Sequence, residues 1–177
     1  MKHYLILTIS ILIASCSQSN LNNDDETGRK SVLVHDISLR VINKLRDEKK
    51  LQICECCGGG MEQITFLHWG FFHYGEIEMA EARELLIKTG NQFLEAFNSD
   101  ERIKPYLSTH PLTPENIEVN IFLKKSDGSE LEPGKLHVVS ISAGTLKYRT
   151  SDGEENSLRT VYKETYEEAL AAYTLGK

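Results

Sequence analysis

Ile117-Glu118-Val119-Asn120-Ile121-Phe122-Leu123-Lys124 is the stretch that decides the fold. Ile117, Val119, Ile121 and Leu123 fall on one side of an extended chain. Glu118, Asn120, Phe122 and Lys124 fall on the other. A repeat of two is the mark of a half-buried β-strand. The pattern continues downstream. Asp127-Gly128 and Pro133-Gly134 punctuate a loop, and Leu136–Ser142 reads as a second strand. Ala143-Gly144 suits a tight turn into a third strand, Thr145–Thr150, where Leu146 and Tyr148 share a face and Lys147 and Arg149 point away. Ser151-Asp152-Gly153 turns the chain again, and Leu158–Tyr162 can form a fourth strand.

A helix closes the chain. Thr165 followed by Glu168 is a capping-box pattern, and Tyr166, Ala169, Leu170 and Tyr173 then line one side. Upstream of Ile117 the period is different. Pro105, Pro111 and Pro114 exclude a helix immediately before the first strand. Glu76–Asn98 is the strongest helical segment, with Met79, Ala82, Leu86, Phe93 and Phe97 on a broad apolar face. Gly90 within it marks a bend or a close contact. Leu33, Ile37, Val41 and Leu45 recur every fourth residue, which predicts a helix over Ser31–Leu51. Between the two helices, C-E-C-C-G-G-G at Cys54–Gly60 breaks periodicity and predicts a bent or mobile loop. Phe66–Tyr74 carries neither period and receives no assignment. The sum is an α+β domain, with helices packed on one face of an antiparallel meander of three to four strands.

The chain has 177 residues, 40% of them hydrophobic and 26% charged, a composition that excludes collagen, wholesale disorder and a polytopic membrane protein. The net charge of −6 disfavours nucleic acid as a partner. The N-terminus carries an address. Lys2 precedes an uncharged run from Tyr4 to Ala14, too short to span a bilayer as a helix and of signal-peptide length. Ile13-Ala14-Ser15-Cys16 follows. This segment resembles the lipobox of bacterial lipoproteins. The resemblance implies cleavage before Cys16, lipidation of its sulfur and acylation of its amine, hence membrane attachment through two or three acyl chains. It also implies a place in the bacterial cell envelope. Ser17, not being Asp, favours the outer membrane where the host has two membranes.

The expected organisation is a signal peptide over residues 1–15, a lipidated flexible tether over 16–30 and one domain over 31–177. Ser17–Lys30 is polar, with Leu21 its one large apolar residue, and has too little apolar surface to offset ordering entropy. Ala80–Tyr106, Pro114–Phe122 and Glu164–Ala169 together resemble a group of small bacterial envelope proteins. That resemblance implies no catalytic residue.

Two sets of residues are candidates for function. Cys54, Cys56 and Cys57, with Met61, His68 and His73, could supply soft-metal ligands or thiol redox chemistry. The spacing matches no zinc signature, and His68 and His73, five apart, would point to opposite faces of a strand. A disulfide between Cys54 and Cys57 in a turn is the least strained pairing available. Trp69, Phe71, Phe72 and Tyr74, with Phe66, form either core or an exposed aromatic patch for a partner. The remaining search is negative: no G-x-S-x-G, H-E-x-x-H, S-x-x-K or phosphate-binding glycine loop is present, and no cofactor is expected. The leading expectation is therefore a noncatalytic interaction or structural module, attached to the membrane and facing an envelope protein partner. A metal-binding or thiol-redox protein is the alternative, and an envelope enzyme the third reading.

Overall fold

A computed structural model describes residues 19–59, 62–153 and 157–175. The order is α1 (Ser19–Lys49), β1 (Gln52–Gly59), β2 (Phe66–Tyr74), α2 (Met79–Ser99), β3 (Ile117–Lys124), β4 (Leu136–Ser142), β5 (Thr145–Ser151), β6 (Leu158–Thr165) and α3 (Tyr166–Leu175). The strands form one sheet in the order β1-β2-β3-β4-β5-β6. All neighbours pair antiparallel except β2 and β3. That parallel pair needs a crossover, which α2 and the following segment supply.

The α+β class holds, but the sheet has six strands of mixed direction rather than a three- to four-stranded antiparallel meander. The two added strands come from the segment expected to be a loop and the segment left unassigned. β2 hid its period because aromatic rings occupy both of its faces. Trp69 and Phe71 are fully buried, and Phe72 lies on the opposite side beside Phe122, with ring centroids 5.9 Å apart. β1 forms despite Gly58-Gly59 because β2 supplies a ladder interrupted only by a bulge between Ile53 and Glu55, with Cys57 paired to His68 and Gly59 to Phe66.

β3 has the strict alternation expected, with its four apolar residues buried and the intervening four half-buried. Ala143 and Gly144 both take positive φ, 47° and 68°, as the two-residue turn between β4 and β5 requires. The capping box of α3 forms. Thr165 N–H donates to Glu168 Oε2 at 2.8 Å, and Glu168 N–H donates to Thr165 Oγ1 at 3.2 Å.

α1 starts at Ser19, so most of the expected tether is helical. Propagation from a helix already docked costs little, since each added residue fixes one more hydrogen bond. Ile37, Val41, Ile42 and Leu45 form its buried stripe. Lys50, at φ 55°, ends it and directs the buried Leu51 toward β1. The expected signal peptide and Cys16 lie outside the described residues.

All three described helices pack on one face of the sheet. Trp69 of β2 stacks on Phe93 of α2 with centroids 3.7 Å apart, and its Nε1–H donates to Ser38 Oγ of α1 at 3.1 Å. At the far end, Tyr166 of α3 reaches α2, where its hydroxyl donates to Asn91 Oδ1 at 2.9 Å. Gly90 permits that approach. A Cβ there would lie 2.8 Å from Ile141 Cδ1 and 3.0 Å from Tyr166 Oη. Overpacking costs about 1–3 kcal/mol, which outweighs the roughly 1 kcal/mol that alanine gains over glycine in a helix. Gly90→Ala is therefore expected to lower stability by about 1 kcal/mol. A urea midpoint equal to or above that of the parent would contradict this packing.

Candidate functional site on the uncovered sheet face

Strand alternation sends half of every strand away from the helices. Register then arranges those side chains in rows. One row runs His68, Glu118, Ser142, and a second runs Glu55, Gly70, Asn120, Ser140, Lys147, Lys163. A third runs Phe72, Phe122, Val138, Arg149, Thr160.

At the β1 end, His68 sits between two carboxylates. Its Nε2 lies 2.8 Å from Glu55 Oε2, and its Nδ1 lies 3.8 Å from Glu118 Oε1. Asn120 Nδ2 donates to the same Glu118 oxygen at 2.9 Å. Gly70 makes room for this arrangement, since a Cβ there would stand 3.0 Å from Glu55 Cβ and 3.1 Å from Glu55 Oε2. The group holds an imidazole in a fixed orientation between two carboxylates. Sequence reading found His68 but not Glu55 or Glu118. The three lie on different strands, and only the pairing register brings them together.

The middle of the face is aromatic. Phe72 contacts both Phe122 and Tyr74, whose ring is 6.4 Å away, and Tyr74 is 39% exposed. Phe122 and Val138 continue into a groove of about 510 Å³, bordered by Leu131, Pro133 and Leu158. Lys124 and Glu130 form an ion pair at its edge. Trp69 and Phe71, the other two aromatic candidates, are fully buried on the helix side and have no surface to offer a partner.

The metal and thiol candidates are dispersed. His68 and His73 point to opposite faces, as their spacing predicts. Cys54 and Cys56 are exposed on β1. Cys57 follows on the same strand, where three residues of extended chain span roughly 10 Å, beyond the reach of a disulfide from Cys54. The expected Cys54–Cys57 turn is thus replaced by strand. Partial desolvation and the Glu55 carboxylate push the Cys54 thiol up, which favours the inert thiol over the thiolate that metals and disulfides require. Met61 lies outside the described residues. Among the described residues, no three His, Cys, Asp or Glu side chains are gathered to hold a metal ion.

His73 closes the helix-side end of β2, near Glu81, Glu84 and Lys88 of α2. Its buried Nδ1 has no hydrogen-bond partner. Burial holds its pKa below the usual histidine value, with Glu81 pulling in the opposite direction. The unfolded chain therefore binds this proton more readily than the folded one. The contribution of His73 is complete above the unfolded value of about 6.5 and declines as pH falls below it. His73→Gln is expected to flatten the loss of stability between neutral and mildly acidic pH, read from urea unfolding at a series of pH values. A parallel decline in parent and variant would show that this imidazole is not desolvated.

No family model, no curated protein and no solved structure matches this chain.

Proposed function

We propose that the protein is a noncatalytic interaction module of the bacterial envelope. It is held to the membrane by lipid on Cys16 and presents its uncovered sheet face to an envelope protein partner. Where the host has two membranes, the outer membrane is the proposed site. The observation that carries this reading is the asymmetry of the sheet. One face is sealed by α1, α2 and α3, while the other leaves Phe72, Tyr74 and Phe122 beside fixed charged groups. Aromatic rings next to oriented polar side chains are the usual makings of a protein-binding surface. The lipobox-like Ile13-Ala14-Ser15-Cys16 supports the anchor. No described helix is long and apolar enough to cross a membrane.

Two measurements test the two halves of the proposal. Cys16→Ser should abolish incorporation of labelled fatty acid, and undiminished labelling would overturn the anchor. Hydroxyl-radical oxidation of Phe72 and Tyr74 should be slower in intact envelopes than in the purified full chain, with exposed Leu39 of α1 as the internal reference. Equal ratios in the two preparations would mean that nothing covers the face.

A further inference from the structure

The β5–β6 end of the uncovered face concentrates positive charge in a protein whose net charge is −6. Lys147 and Lys163 are directly paired across β5 and β6 and project from the same face. Like charges placed opposite one another in a sheet are destabilising. Neither lysine forms an ion pair with a carboxylate among the described residues. Arg149, the next outward-facing residue of β5, donates from Nη2 to Ser140 Oγ at 3.1 Å. Its Nε–H is buried and has no acceptor. Two ammonium groups and a guanidinium thus share one patch, and among the described residues no carboxylate pairs with either lysine.

The adjoining groove has an apolar side. Val138 is the β4 neighbour of Arg149 and lines the groove of about 510 Å³ with Phe122, Leu131, Pro133 and Leu158. We infer that Lys147, Arg149 and Lys163 bind the phosphate or carboxylate head of a small amphipathic ligand, whose apolar part lies against Phe122 and Val138 in the groove. The head neutralises the Lys147–Lys163 repulsion and accepts from the Arg149 guanidinium. Arginine and lysine together suit such a head, one as a planar donor and the other as a point charge.

Calorimetric titration of the purified full chain with inorganic phosphate, hexyl phosphate and phosphatidylglycerol vesicles tests the site. Hexyl phosphate should bind saturably, at least about tenfold more tightly than inorganic phosphate, because burying a few methylenes suffices for that gain. Lys147→Gln combined with Lys163→Gln should weaken both anions by about tenfold or more. Phe122→Ala should remove only the advantage of the hexyl chain. Removing one half of a like-charge pair should also leave Lys163→Gln at least as resistant to urea as the parent, which separates lost binding from lost folding. Absence of saturable hexyl phosphate binding, or binding unchanged by the lysine substitutions, overturns the site. Vesicle binding that depends on the lysines, without hexyl phosphate binding, also overturns it and assigns the patch to a bilayer surface.

Discussion

Trp69→Ala is expected to lose about 3–5 kcal/mol of stability, the range for deleting a large buried aromatic side chain. Against a typical total of about 5–15 kcal/mol, that is enough to leave much of the protein unfolded. Trp69 is fully buried and joins three elements. Its ring stacks on Phe93 and lies 5.7 Å from Phe97, both in α2, and its indole N–H donates to Ser38 of α1. No neighbour can collapse into the space without moving a helix. Trp69→Phe separates packing from hydrogen bonding. It retains a ring against Phe93 but leaves the buried Ser38 hydroxyl without its donor, a loss of about 1–2 kcal/mol. Urea unfolding followed by far-UV circular dichroism reads both, since the variants lack the chain's one tryptophan. A loss under about 1 kcal/mol for Trp69→Ala would place the residue outside the core.

Legibility of the fold follows from how each strand divides its two faces. β3 is buried on one side and half-buried on the other, so its alternation survives in the sequence. β5 behaves in the same way. β2 is different. Leu67, Trp69 and Phe71 face the helices, and Phe66 and Phe72 face away, so apolar residues fall at both parities and the period disappears. β1 lies at the sheet edge with a glycine run and three cysteines, and its pairing is imposed by β2 rather than by its own pattern. The Thr165–Glu168 cap was legible to individual hydrogen bonds because a capping box is local. The helical start at Ser19 was not, because one apolar residue, Leu21, sets no period.

The candidate site was less legible than the fold. His68, Phe72 and Tyr74 stand out in the sequence, but Glu55, Glu118, Lys147 and Lys163 are ordinary strand charges until register sets them beside one another. A sheet face is assembled from residues far apart in the chain, whereas motif reading relies on short fixed spacings. Cys54, Cys56 and Cys57 drew notice for the opposite reason. Their close spacing is conspicuous, yet an extended strand spreads successive side chains apart and gathers no ligand set.

Glu164 tests how β6 is tied to the core. Its neighbours on β6 are exposed, whereas its own side chain is only 4% exposed. Tyr148 Oη donates to Glu164 Oε1 at 2.6 Å, and Arg83 Nε of α2 donates to the same oxygen at 2.8 Å. Burial and the Glu164 carboxylate push the Tyr148 phenol far above its usual range, so it remains a neutral donor. Glu164→Ala removes the acceptor from a fully buried hydroxyl and from a guanidinium that is 20% exposed. Breaking a buried pair on one side costs about 3–5 kcal/mol, and partial hydration of Arg83 places the expected loss near the lower figure, about 3 kcal/mol. Glu164→Gln keeps an acceptor without the charge and is expected to lose about half as much. Tyr148→Phe combined with Glu164→Ala should cost less than the sum of the single losses, because the two share one hydrogen bond. Strict additivity in that cycle, measured by urea unfolding, would show that Glu164 and Tyr148 act independently.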